Sequence, residues 1–366
     1  MTELSDLPLR TDLVGRKPYG APQLAVSVAL NVNENTHRIP EEVAVDIVSR
    51  LAAAVLEVNR YPDREFTGLR NALAKYIGRG ITPEQVWAAN GSNEVLQHIF
   101  QAFGGPGRSA MGFTPTYSMY PLISEGTGTH YISVERGPRF ELTPELVATA
   151  ISQHKPNIIM LCAPNNPTGT PLSLDCIDAA YEAAHTYGGI VVVDEAYAEF
   201  AHDTSVTAIN LLDGRPNLLV SRTMSKAFAF AGARVGYLLA DPAVIDALRL
   251  VRLPYHLSAF TQAAAEGALA HSDALLANVD DIRVQRDRIV DELREIGLDV
   301  YDSDSNFVLF GGLADNDSVW KALLERDVLI RNVGIPGTLR VTAGTVAETT
   351  AFLAAMREVL AQGKQA

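Results

Sequence analysis

One lysine, in the stretch Ser221-Arg222-Thr223-Met224-Ser225-Lys226-Ala227-Phe228, is placed for covalent chemistry. It follows the apolar run Asn217-Leu218-Leu219-Val220, which reads as a buried strand. A lysine held against apolar neighbours loses part of its hydration, so its neutral, nucleophilic amine becomes accessible at about pH 7. A lysine that forms a Schiff base with an aldehyde needs that. Thr223, Ser225 and the later Arg234 add hydroxyls and a guanidinium to the same loop, which suits a phosphate dianion. An aldehyde-trapping lysine beside a phosphate clamp points to pyridoxal phosphate. Taken alone, the stretch also fits an ordinary strand-to-loop turn with a solvated lysine.

Four further segments carry residues of the right chemical type. Asn90-Gly91-Ser92-Asn93-Glu94 opens a helical run, and a helix N-terminus offers free N–H groups to a phosphate; a plain capped helix would look the same. Phe113-Thr114-Pro115-Thr116-Tyr117-Ser118-Met119-Tyr120 follows a strand, and an aromatic there could stack on a pyridine ring or pack in the core. Ala163-Pro164-Asn165-Asn166-Pro167-Thr168-Gly169 is a rigid turn whose held amide could donate to a phenolic oxygen. Val193-Asp194-Glu195-Ala196-Tyr197 places a carboxylate at the end of a buried strand, where it is costly unless paired. A protonated pyridine nitrogen would pair Asp194 and keep the ring an electron sink. Tyr197 would donate to the ring oxygen beside Asn166, and Glu195 reads as a structural partner. An acidic pair after a strand also fits a Mg²⁺ site, but no G-x-x-x-x-G-K-[ST] loop accompanies it.

The elements that must hold these residues follow from the rest of the chain. Its 366 residues suggest about two domains. Short β-branched runs alternate with helical stretches from about residue 84, which predicts an α/β fold with a mostly parallel sheet between helices. Ligands on such sheets bind at the carboxyl ends of the strands, where the candidate residues fall. Residues 1–40 read as an arm, 41–275 as a large domain, and 276–366 as a smaller α+β domain entered through a charged helix at about 276–296. The net charge of -13 argues against nucleic-acid and anionic-membrane partners. No apolar run reaches the ~18 residues of a spanning helix, and no signal-peptide core is present. The two cysteines, Cys162 and Cys176, form no metal or redox spacing, so a reducing cytoplasm fits and no metal is expected.

Together the lysine stretch, the N-P-T-G turn, the Asp194-Glu195-Ala196-Tyr197 segment and the Asn90–Glu94 turn resemble fold-type I pyridoxal-phosphate-dependent aminotransferases, in the same chain order. The resemblance covers nearly the whole chain and is strongest to the histidinol-phosphate aminotransferase branch in its actinobacterial form. It implies catalytic roles for Lys226, Asp194 and Tyr197, with Lys226 both holding the cofactor and acting as general base. It implies that Ser92, Asn93, Thr223, Ser225 and Arg234 hold the phosphate, that Tyr117 stacks on the ring, and that Asn166 serves the ring oxygen. Asn59-Arg60-Tyr61-Pro62-Asp63 resembles a segment whose tyrosine reaches the partner's phosphate, so Tyr61 implies a homodimer. Arg331 and Arg340 are expected to take the substrate's phosphate or carboxylate, since the planar guanidinium fork suits both. Tyr19 resembles an arm tyrosine that closes over the substrate, and the segment from Val251 to Ser258 resembles one of the actinobacterial form in which Tyr255 could flank the imidazole, while Tyr120 and His256 read as structural. The implied reaction moves an amino group between glutamate or 2-oxoglutarate and histidinol phosphate, in histidine biosynthesis. An aromatic-amino-acid aminotransferase shares almost all of these motifs, and a non-enzymatic protein of the same fold is argued against by the intact Lys226, Asp194 and Arg234. One departure stands out: Asn33-Glu34-Asn35 is followed by Thr36 where the family commonly has proline.

Overall fold

The β-branched runs form a sheet buried on both faces in the computed structural model, which describes residues 4–363 other than 17 and 19. In chain order the strands are β1 (Val28–Ala29), β2 (Val86–Ala89), β3 (Ser109–Thr114), β4 (His130–Glu135), β5 (Ile158–Cys162) and β6 (Ile190–Asp194). There follow β7 (Leu218–Thr223), β8 (Gly236–Leu239), β9 (Asp299–Val300), β10 (Phe307–Gly311), β11 (Val328–Leu329) and β12 (Leu339–Thr342). The large sheet has seven strands in the order β2-β8-β7-β6-β5-β3-β4. Its β7-β6-β5-β3-β4 portion is parallel, and β8 runs antiparallel to both of its neighbours.

The sequence pattern does not reveal the reversal at β8. Its cause is local: the link from Met224 to Val235 holds only the short 3-10 turn Ala231–Ala233, too little for a parallel crossover. The chain therefore doubles back, and Arg234 is carried to the same sheet edge as Thr223. Parallel register does the rest. Cys162 lies level with Asp194, and Asp194 with Ser221. The loops after β3, β5, β6 and β7, with the turn after β2, thus leave one edge of the sheet together.

A second apolar core is built from the C-terminal part of the chain. Helix Val279–Glu295 packs on the antiparallel sheet β12-β10-β9 and on helix Val346–Gly363. Phe307, Phe310 and Phe352 lie at its centre, fully buried. Tyr197, Phe200 and Ala227, from loops of the large sheet, are packed into this second core. β1 pairs in parallel with β11, so the N-terminal segment is docked against the C-terminal part of the chain. Among the described residues, no helix is long and apolar enough to cross a membrane.

Candidate active site

The loops at the sheet edge and the segment after β1 enclose a cavity of about 450 Å³. Its lining includes Ser92, Asn93, Tyr117, Asn166, Asp194, Tyr197, Thr223, Ser225, Lys226, Arg234, Arg331 and Arg340. Twelve of the residues expected from sequence are therefore brought to one place.

Lys226 sits just past β7 with its amine directed at the main chain of the N-terminal segment, donating to the Val32 carbonyl at 3.1 Å. Burial pushes this amine down to about 8; the Arg340 guanidinium acts in the same direction, Glu34 opposes it and Arg234 adds to it. A lysine poised there is part neutral at physiological pH, as a nucleophile and general base must be.

Asp194 ends β6 and is 2% exposed. The Tyr120 hydroxyl donates to its Oδ2 at 2.8 Å, while Oδ1 is buried with no hydrogen-bond partner. Burial pushes the carboxyl up to about 6, against the Tyr120 hydrogen bond and the Ala196 N–H, with Glu195 adding to the rise. Glu195 itself faces away from the cavity, where its carboxylate accepts from Arg222, Thr207 and the Ala208 N–H.

Across the cavity, Asn166 and Tyr197 form one hydrogen-bonded set with the N-terminal segment. The Tyr197 hydroxyl oxygen accepts from Asn33 Nδ2 at 3.0 Å and from Asn166 Nδ2 at 3.4 Å. With its oxygen so occupied, the hydroxyl retains a proton to donate, and burial pushes its pKa up to about 12. Arg340 Nη1 donates to Asn166 Oδ1 at 2.7 Å, and its Nη2 to the Asn31 carbonyl at 3.0 Å. Arg331 lies next to Arg340 through paired backbone hydrogen bonds of 2.9 Å in both directions. Its side chain has no hydrogen-bond or ion-pair partner among the described residues.

The cavity also gathers groups of the kind that hold an anion. Ser92 opens helix Ser92–Phe103 after Gly91, whose φ of 83° suits glycine, and the first N–H groups of a helix lack intrahelical partners. A Cβ on Gly91 would run into the Arg234 guanidinium, so the turn and the arginine are closely fitted. Arg234 Nη1 reaches Ser225 Oγ at 3.4 Å. The Tyr117 hydroxyl donates to Asn93 Oδ1 at 3.1 Å, and Tyr117 lines the cavity.

Two expected residues are not brought to this cavity. Tyr61 and Tyr255 stack on each other at 4.5 Å on the surface, and Tyr61 is 80% exposed. Tyr19 lies outside the described residues. His256 packs against Trp87 and Phe66, its Nε2 bonded to the Ala88 carbonyl at 2.8 Å. Thr36, at the departure from the family pattern, has a buried hydroxyl with no hydrogen-bond partner among the described residues.

Sequence reasoning missed the part played by Asn31, Val32 and Asn33, two of which act through backbone carbonyls that carry no side-chain signal. Asn33 is held by Thr342, whose Oγ1 accepts from Asn33 N at 3.0 Å and pairs with its Oδ1 at 3.2 Å. Thr342→Val should therefore lower stability by about 1–2 kcal/mol and speed hydrogen exchange at residues 31–35. Unchanged exchange there would show that the segment is held by its other bonds, such as those of Asn31 to Arg340 and Asn33 to Tyr197.

The donor set fits pyridoxal phosphate: an unpartnered buried carboxylate oxygen for the ring nitrogen, an amine for the aldehyde and a glycine-turned helix end for the phosphate. The architecture is that of a fold-type I aminotransferase. Residues 26–356 match the family described as aminotransferase class I and II, and the chain belongs to it. A histidinol-phosphate aminotransferase of Paenarthrobacter aurescens (strain TC1) is 60% identical over 360 residues, covering 98% of this chain and 97% of that protein. One of Thermobifida fusca (strain YX) is 54% identical over 354 residues, covering 96% and 95%. The crystal structure of histidinol-phosphate aminotransferase from Sinorhizobium meliloti in complex with pyridoxal-5'-phosphate superposes with a TM-score of 0.81 at 25% identity, covering 92% of each chain.

Proposed function

We propose that the chain is a pyridoxal-phosphate-dependent aminotransferase that moves an amino group between glutamate and imidazole acetol phosphate, giving L-histidinol phosphate and 2-oxoglutarate, in histidine biosynthesis. The observation that carries the chemistry is the buried, unpartnered Oδ1 of Asp194 in the same cavity as the depressed amine of Lys226. The substrate follows from the identity of 60% to a full-length relative of that name.

Pyridoxal phosphate, when bound, supplies an aldehyde for the amino group and a ring that withdraws the electrons left when the α-proton departs. The chain supplies the rest. Lys226 would hold the aldehyde carbon, and its amine would carry the proton to and from the substrate Cα. Asp194 Oδ1 would pair with the ring nitrogen, and Tyr117 would stack on the ring. Asn166 and Tyr197 donate to the ring oxygen. The N–H groups of Ser92 and Asn93, with Thr223, Ser225 and Arg234, hold the phosphate. Arg331 and Arg340 bind the anionic end of each substrate, phosphate in one half-reaction and carboxylate in the other.

A homodimer belongs to the same reading. Val45, Val48, Val55 and Leu56 on helix Glu41–Leu56, with Leu250 and Leu253, present an exposed apolar face that a second copy would cover. Tyr61 would then reach the partner's phosphate end, and Tyr255, stacked on it, would flank the partner's substrate. The two apolar cores support an arm of residues 1–40, a large domain of 41–275 and a small one of 276–366. A cytoplasmic location accords with the two free, buried cysteines.

The test is kcat/KM for L-histidinol phosphate against L-phenylalanine, with 2-oxoglutarate as acceptor. The phosphate ester should be preferred about a hundredfold or more, roughly 2.7 kcal/mol of transition-state discrimination. Equal or reversed values would make the enzyme an aromatic aminotransferase.

A further inference from the structure

The geometry points to Tyr120 as a positioning residue for the reaction: its hydroxyl holds one oxygen of Asp194 so that the other is presented, ionised, to a cationic ring nitrogen. This rests on the pyridoxal-phosphate reading above. Tyr120 is fully buried on helix Met119–Gly126, its ring edge-on to Tyr117 at 5.5 Å and 88°. Its hydroxyl donates to Asp194 Oδ2 at 2.8 Å, and Oδ1 is the oxygen left over.

The groups around Asp194 leave little else to keep it charged. Cys162, level with it on β5, is held protonated by burial, which pushes its thiol up to about 12. Glu195 beside it repels a second negative charge. No ion pair to Asp194 exists among the described residues. The buried Arg136 instead donates to the carbonyls of Phe113 and Phe140 and to Asn165 Oδ1. Against the pull of burial stand the Tyr120 hydroxyl and the Ala196 N–H. Burial also keeps the phenol protonated, so Tyr120 can only donate to a carboxylate. A hydroxyl here separates the two oxygens by function and resists rotation of the carboxyl.

Tyr120→Phe keeps the ring and removes the hydroxyl. In cofactor-free protein, the Asp194 carboxyl, followed by ¹³C NMR, should titrate about one unit higher than in the parent. The Kd for pyridoxal phosphate at pH 8 should weaken about tenfold, and adding Tyr120→Phe to Asp194→Asn should weaken it no further. Should the variant not fold, 3,5-difluorotyrosine at position 120, a stronger donor, should lower the Asp194 midpoint instead. A packing role alone would leave the midpoint and Kd unchanged, and that result overturns the inference. A parent protein that takes up no pyridoxal phosphate overturns the functional reading; one that does, with Tyr120→Phe indistinguishable, overturns only the role of Tyr120.

Discussion

Lys226→Ala should lower kcat/KM for transamination by at least about 10⁴-fold and remove the visible absorbance of the purified protein. Other groups lining the cavity cannot replace the amine. Arg331, Arg340 and Arg234 present guanidinium groups, which donate hydrogen bonds but offer no acceptor lone pair, and the Tyr197 hydroxyl is held at about 12. Residual activity within tenfold of the parent would end the assignment. The same residue has an opposite effect on stability. Its amine is depressed from the ordinary lysine value of 10.5 to about 8 in the fold, so the unfolded chain binds more protons across that window. Its favourable contribution is complete above about 10.5 and is lost as pH falls through about 8. At pH 7 the cofactor-free fold is thus held back by about 3 kcal/mol at this position. Lys226→Met, which fills the space without a charge, should raise the Tm of the cofactor-free protein at pH 7, and the gain should shrink at pH 10 (about two units above the folded value). A gain independent of pH would assign it to packing rather than to the buried amine.

Arg340→Gln should lower kcat/KM by about 10²- to 10³-fold, for L-histidinol phosphate and for glutamate alike. The loss has two sources. One is the guanidinium fork proposed above for the substrate anion. The other is internal, because Arg340 restrains Asn166 at 2.7 Å and stands 4.9 Å over the Phe307 ring. A glutamine reaches neither Asn166 nor the Asn31 carbonyl with the same fork. Measurement of both half-reactions separately is decisive: a variant with unaltered kinetics toward the phosphate ester would remove Arg340 from substrate binding.

Much of this site could be read from residue type because its parts end strands. Asp194, Asn166 and Lys226 each follow a run of buried β-formers, and parallel register makes such ends converge. The direction of β8 could not be read, since hydropathy is the same for either direction and only the shortness of the preceding link decides it. Tyr117 and Tyr120 are alike in type and three positions apart; which of them meets Asp194 depends on the phase of a helix that begins between them at Met119. The carbonyls of Asn31 and Val32 were invisible for a different reason. Any residue has one, so only folding shows that these two face Arg340 and Lys226. Tyr61 and Tyr255 stack on each other at the surface, away from the cavity of the single chain.

The bonds between Asn33 and Thr342 join positions 309 residues apart. They put a clock on biosynthesis. A chain emerging from the ribosome can complete the seven-stranded sheet, with Lys226 in place, long before β12 is made. Until Thr342 and Arg340 appear, Asn31 and Asn33 lack these partners, and the segment that caps Lys226 through Val32 has no seat. Local contacts form early and distant ones late, so the reactive lysine acquires its cover only after residue 342 has been made. A chain cut short before Arg340 would therefore act on the oldest part of the molecule, keeping the residues of the large sheet but leaving its centre open and unfinished.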